Sequence, residues 1–376
     1  MPASQSASPL HSRPTVGLMP AMTVQPRILL LITDLQIGGT PTVVRELAIR
    51  LRAGGDVHVE VACLAPWGPV ADQLAAAGVP VAAFGASSVT QIVGVVRKLI
   101  RLIDRQRLET VLSFLVHANA VAAAVSLLRP GVRWLQSIQT TQPYPRWHWW
   151  VQRVAALAAE RVVVPSPSVA QMAQQRADVA ADRIAVVPNA VQIEDTGWKP
   201  VPPQRGAVGF VGRLDPVKRV TDLIDAVAML DRPVHLHIYG EGRDRARIEA
   251  HAARLGAGDC VTLHGAVLDA RPAIAGLDVL VLPSEAEGFG LVLIEAMAVG
   301  VPVVATDAPG IRDVVTHGVT GLLVPVGRPD ALATAIDRVL SDDVLRASLT
   351  SAALADVRQR FTWDGVLPRY RQLLRL

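Results

Sequence analysis

Short apolar runs of strand length alternate along this chain with segments whose apolar residues recur every three or four positions. RILLLITDL (27–35) is the first run. It ends in the loop QIGGTPT, and VVRELAIRLRAGG follows with helical spacing. VHVEVACLAP (57–66), VPVAAFG, TVLSFLVHAN (110–119), VRWLQSIQTT, ERVVVPS (160–166) and RIAVVPNAV (183–191) read as further strands. Between them, ADQLAAAG, VTQIVGVVRKLIRLIDRQR, AVAAAVSLLR and SVAQMAQQRA read as helices. Such alternation predicts an α/β fold with a mainly parallel sheet.

DTGWKPVPPQRG (195–206) interrupts the pattern and reads as an interdomain linker. Strand and helix signals then restart, from AVGFVGRLD through GLLVPVG and PDALATAIDRVL. The expected architecture is two doubly wound Rossmann-like units, 27–196 and 197–360, facing each other across a cleft. Ligands of open α/β sheets bind beyond the carboxyl ends of the strands, which here means between the units. Residues 1–26 read as a disordered tail, because 1–25 are rich in Pro and Ser and lack any apolar core of a secretory signal.

Composition narrows the partners. With 37 basic and 33 acidic residues the formal charge is +4, mild and without a long basic run. It suits an anionic small molecule or an acidic membrane surface and argues against nucleic acid. Two distant cysteines, Cys63 and Cys260, offer no disulfide framework and point to a reducing, cytoplasmic setting. No uninterrupted apolar run reaches the length of a membrane span.

Several stretches carry candidate chemistry. In EGFGLVLIE (287–295), Glu287 lies in a loop and Glu295 in the helix that follows. Gly288 and Gly290 let backbone approach a ligand, and the helix start near Gly290 suits a phosphate. Glu287 and Glu295 could then hold sugar and ribose hydroxyls on either side of a diphosphate; two solvated acids on a crossover helix is the plainer alternative. Arg213 and Lys218 in GFVGRLDPVKR (209–219) could neutralise that diphosphate or form a solvated surface pair. Gly38 and Gly39 lie in the corresponding loop of the first unit, which lacks G-x-G-x-x-G and so disfavours a dehydrogenase. His117 ends the run FLVHAN, either facing the cleft or buried as a hydrogen-bonded core histidine. Trp147, Trp149 and Trp150 cluster with Arg146, His148 and Arg153, as a membrane-interface or acceptor surface or as a packed aromatic helix face.

Taken together, GGTPTVVREL, SFLVHAN, VVPNAV, GFVGRLDPVKR, IYGEGRDRARIE, VTLHGAV and LPSEAEGFGLVLIEAMAVGVPVVATDAPGIRDVVTHGVTGLLVP resemble family 4 of the retaining glycosyltransferases, the group 1 glycosyl transferases with the GT-B fold. The resemblance implies that Glu287 contacts the donor sugar, and that Phe289, Gly290 and Leu291 present backbone to sugar and phosphate. It further implies that Glu295 binds ribose, Arg213 and Lys218 the diphosphate, that Gly39 approaches the donor from the first domain, and that His117 sits near the reacting carbon. The closing FTWDGVLPRYRQLLRL resembles the family's terminal segment, so 361–376 is expected to pack back on the first domain. The absence of an Asp-x-Asp after a strand fits transfer with no metal and no cofactor beyond the nucleotide-diphosphate sugar. The implied activity is transfer to a hydroxyl of a glycan or lipid-linked acceptor, in cell-surface polysaccharide or lipopolysaccharide assembly, at the inner face of the cell membrane. A nucleotide-sugar epimerase, a phosphorylase of the same fold and a non-catalytic sugar-binding or scaffold protein are the alternatives.

Overall fold

The computed structural model describes residues 25–193 and 206–376. The expected tail up to residue 24, the 196/197 boundary and the linker up to residue 205 lie outside the described residues. The first unit holds β1 (Arg27–Ile32), α1 (Gly39–Ala53), β2 (His58–Cys63), α2 (Pro69–Ala76), β3 (Val81–Ala83), α3 (Ile92–Gln106) and β4 (Thr110–Phe114). It continues with α4 (Val116–Leu128), β5 (Arg133–Ser137), α5 (Arg146–Ala158), β6 (Arg161–Val164), α6 (Pro167–Ala177) and β7 (Ile184–Val186). The second holds β8 (Ala207–Val211), α7 (Val220–Ala228), β9 (His235–Tyr239), α8 (Arg245–Arg254), β10 (Val261–Gly265), α9 (Arg271–Ala275) and β11 (Val279–Leu282). After these come α10 (Leu291–Ala298), β12 (Val303–Thr306), β13 (Leu322–Val324), α11 (Pro329–Ser341), α12 (Asp343–Arg360) and α13 (Trp363–Leu374).

Each unit is one parallel sheet covered by helices. The strand orders are β3-β2-β1-β4-β5-β6-β7 and β10-β9-β8-β11-β12-β13. Burial explains why the strands read as continuous apolar runs. On β1, Ile28, Leu30 and Ile32 enter the core on one face, and Leu29 and Leu31 enter the core on the other. A strand buried on both faces has no polar alternation to show.

The run 110–119 is shorter as a strand than its apolar pattern suggests. β4 ends at Phe114, Leu115 turns the chain with φ 72° and ψ 156°, and α4 starts at Val116. His117 and Asn119 therefore lie on the first turns of a helix rather than at a strand end. No glycine marks that turn; a leucine held at positive φ is strained backbone of the kind that collects at functional sites.

The chain ends on the first unit. Val191 N–H donates to Phe361 O (2.8 Å) and pairs with Thr362, and α13 lays Trp363, Val366, Tyr370 and Leu374 into the core beside β1 and α1. Arg371 pairs with Asp56, Arg375 with Glu160, and Arg50 stacks over the Trp363 ring.

Candidate active site

Both sheets reverse direction of winding at one place, between β1 and β4 and between β8 and β11. The loops leaving these four strands at their carboxyl ends carry Gly38 and Gly39, the start of α4 with His117, Arg213 and Lys218, and Glu287. A crevice at such a switch point is where doubly wound sheets bind ligands, and here two crevices face one another.

Glu287 is the best-connected of these groups. Its carboxylate pairs with Lys218 Nζ and accepts from Ser284 Oγ (2.6 Å). Both side chains of the ion pair are mostly buried, at 15% and 11% exposure, so the pair is screened less than a surface one. Lys218 is turned inward by the short helical turn Pro216–Lys218 after β8. The Glu287 backbone is gripped from both sides. Thr141 Oγ1, from the first domain, donates to Glu287 O (2.7 Å). A Cβ on Gly310 (φ 83°) would lie 2.1 Å from the same oxygen. Gly288 faces Gln139 O of the first domain so closely that a Cβ there would sit 2.2 Å away, and its own carbonyl accepts from Ser166 Oγ (3.0 Å).

Gly290 takes φ 80° and opens α10 without a side-chain cap, leaving a helix N-terminus directed at the cleft. Phe289 has its ring in the core, edge-on to Phe361 at 5.4 Å, so only its backbone is available to a ligand. Leu291 lies 3.9 Å from where a Cβ on Gly39 would be, closing the cleft from both sides.

Glu295, one turn into α10, is half-buried. Burial, then the carboxylate of Asp269, pushes its pKa up to about 7, while Arg271 and Arg45 act in the opposite sense. Arg45 belongs to α1, so the second carboxylate of the motif feels a cation from the facing domain. Arg213 is 63% exposed and pairs with Asp215 (3.0 Å), which also holds Arg243 (3.2 Å). The ion pair with Glu287 is made by Lys218, not by Arg213. His117 is exposed on α4, with its ring 5.9 Å from Trp147 and 6.1 Å from His148. Burial, then the His117 charge, lowers the pKa of His148.

Of the three tryptophans, Trp149 is core: it is buried and its Nε1 donates to Gln142 O (2.8 Å). It cannot share a surface with the others. Trp147 and Trp150 are 51% and 66% exposed, three residues apart on one face of α5. Ser284, Thr141, Ser166, Gly310 and Arg45 complete the site without having been expected. Their only sequence signal is position, Ser284 just before the Glu287 loop and Gly310 after a proline.

Two parallel-sheet domains with paired switch-point loops across a cleft define the GT-B class of fold. Residues 37–195 match the description "Glycosyltransferase Family 4" and residues 194–356 match "Glycosyl transferases group 1". The chain belongs to this glycosyltransferase family. Among its relatives, a D-inositol 3-phosphate glycosyltransferase of Jonesia denitrificans is 38% identical over 174 residues, 43% of this chain and 41% of that protein. A lipopolysaccharide core biosynthesis glycosyltransferase of Rhizobium meliloti is 33% identical over 173 residues, 46% of this chain and 51% of that protein. The matched region thus spans roughly half or less of these relatives' length. The crystal structure of Anabaena HepE in complex with UDP and glucose has the same fold, with a TM-score of 0.84 at 24% identity, covering 93% of this chain and 99% of that one.

Proposed function

We propose that this protein transfers a sugar from a nucleotide-diphosphate sugar to a hydroxyl of a glycan or lipid-linked acceptor, with retention and without a metal, in the assembly of cell-surface polysaccharide or lipopolysaccharide. The observation that carries the reading is the Lys218–Glu287–Ser284 cluster at the β8/β11 switch point, beside the uncapped start of α10. A cation and a helix N-terminus suit phosphate, and a carboxylate suits hydroxyls. The three are adjacent, as the diphosphate and sugar of such a donor are adjacent. Without donor, Lys218 and Glu287 neutralise each other. The donor would take Lys218 for phosphate and leave Glu287 to the sugar.

Departure of the nucleotide diphosphate builds negative charge on the leaving phosphate. Lys218, Arg213 and the α10 dipole stabilise that charge. The acceptor oxygen attacks the anomeric carbon on the face the phosphate leaves, and its proton passes to the departing phosphate. No carboxylate is given the role of covalent nucleophile. The activities of these relatives support a transferase over an epimerase or a phosphorylase of the same fold.

The test is release of free nucleotide from UDP-, GDP- and ADP-sugars in EDTA, comparing the protein with Glu287→Ala. Release from one donor, lost in the variant, supports the reading and fixes the base. Release that depends on added divalent metal overturns metal independence; release needing only inorganic phosphate favours a phosphorylase.

Trp147 and Trp150, with Arg146 beside them, are further proposed to meet an anionic membrane where a lipid-linked acceptor resides. Val154 and Leu157 extend the same exposed face of α5. Trp147→Ala with Trp150→Ala should reduce co-sedimentation with phosphatidylglycerol vesicles; unchanged sedimentation removes the membrane contact and leaves the transfer chemistry standing.

A further inference from the structure

We infer that Trp67 is a stacking platform for a pyranose ring of the acceptor, at the carboxyl ends of β1 and β2; this rests on the transfer reading above. The chain leaving β2 runs beside the chain leaving β1. Leu64 N–H donates to Ile32 O (3.1 Å), Ala65 N–H to Thr33 O (3.0 Å) and Val70 N–H to Leu35 O (3.1 Å). Gly68 is held so tightly against this segment that a Cβ on it would lie 2.6 Å from Leu35 O and 2.9 Å from Gln36 Nε2. Trp67 is therefore fixed next to Leu35 and Gln36, and that segment leads directly into Gly38 and Gly39, the latter facing Leu291 across the cleft.

A lone exposed tryptophan is ordinary on a protein surface. This one is built differently. Its Nε1–H donates to Asp72 Oδ1 (2.7 Å), which satisfies the polar edge and sets the orientation of the ring, while 47% of the residue stays exposed. An indole so held offers an apolar π-face with its only donor already committed. The C–H face of a pyranose fits such a surface, and its hydroxyl rim needs polar partners. Asp34 and Gln36 stand on the adjoining segment, with Asp34 Oδ1 accepting from Gln36 N–H (3.1 Å). An aromatic plate edged by a carboxylate and an amide is chemistry for a neutral sugar. It is not chemistry for a phosphate, which the Asp34 and Asp72 carboxylates would repel.

Ligand-detected saturation-transfer NMR tests this, with methyl glycosides of glucose, galactose and mannose as probes and UDP, GDP and ADP run in parallel. The expected result is transfer to the C–H face of at least one glycoside, about tenfold weaker in Trp67→Ala and largely kept in Trp67→Phe. Exposure of the side chain lets both variants fold. Equal transfer in wild type and Trp67→Ala overturns the platform. Nucleotide binding with no glycoside signal also overturns it and leaves the donor reading in place. A glycoside signal lost in Trp67→Ala, with no nucleotide binding, keeps the platform and removes the donor reading.

Discussion

At the residue scale the two carboxylates of the Glu287–Glu295 motif differ because their neighbours differ. Glu287 has a cation and a hydroxyl in contact; Glu295 is half-buried near another carboxylate, with its pKa raised to about 7. A folded-state value above the ordinary 4.5 means that the folded protein binds more protons than the unfolded chain between the two. This contribution to stability is present below about pH 4.5 and lost as pH rises through about 7. Glu295→Gln, which cannot ionise, should therefore melt higher than wild type at pH 8 and equal it near pH 4. The ceiling of the effect is about 3 kcal/mol. If Glu295 holds the ribose, donor affinity should run the other way: an ionised carboxylate accepts more strongly from hydroxyls than a neutral one, so nucleotide binding should strengthen with pH through about 7 in wild type and lose that dependence in Glu295→Gln. Parallel thermal melts with and without nucleotide across pH 4–9 decide both. For the phosphate side, Arg213→Ala and Lys218→Ala should each lower kcat/KM by a factor equivalent to about 2–4 kcal/mol. Turnover left intact in Arg213→Ala would restrict the clamp to Lys218, the cation already in place.

At the scale of elements, α13 is the part whose packing is most exposed to test. Tyr370 is almost fully buried, yet its hydroxyl has no hydrogen-bond partner. The ring supplies apolar contact and the hydroxyl brings an unmet desolvation cost. Tyr370→Phe should be neutral or stabilising, whereas Tyr370→Ala should cost about 3–5 kcal/mol by analogy with other buried aromatics. Urea denaturation of the two variants separates the contributions; a destabilised Tyr370→Phe would mean that the hydroxyl is satisfied in solution. Elements also show where the sequence was readable. The strand–loop–helix units stood out because strands buried on both faces leave unbroken apolar runs. The start of α4 did not, because FLVHAN stays apolar through a turn made by a leucine at φ 72°. The tryptophan cluster was partly readable: positions 147 and 150 share a helical face that 149 does not, and Trp149 is the one in the core.

For the whole molecule, the cleft depends on how closely the Glu287 loop is held against the first domain. That proximity was not legible. Lys218 and Glu287 are 69 residues apart, and Thr141 and Glu287 are 146 apart; only the shared winding of β8 and β11, and the facing of two sheets, brings them together. The cross-domain contacts concentrate on the same short loop. Thr141 holds Glu287 O, Ser166 holds Gly288 O and Gln139 O abuts Gly288; Ser168 N–H adds a contact to Asp313 (2.9 Å) on the segment after β12. The segment that would grip the donor is thus also the segment on which the domains meet. Gly288→Ala tests whether that coincidence matters. The added methyl carbon would begin 2.2 Å from Gln139 O, a backbone atom that cannot rotate away, so the domains must part locally or the Glu287 loop must shift. Neither domain's core includes Gly288, so each should keep its own stability. The expected outcome is little change in melting, a larger radius of gyration by small-angle scattering, and kcat/KM lowered at least tenfold. Wild-type turnover in Gly288→Ala would mean that the domains need not meet at this loop for transfer to occur.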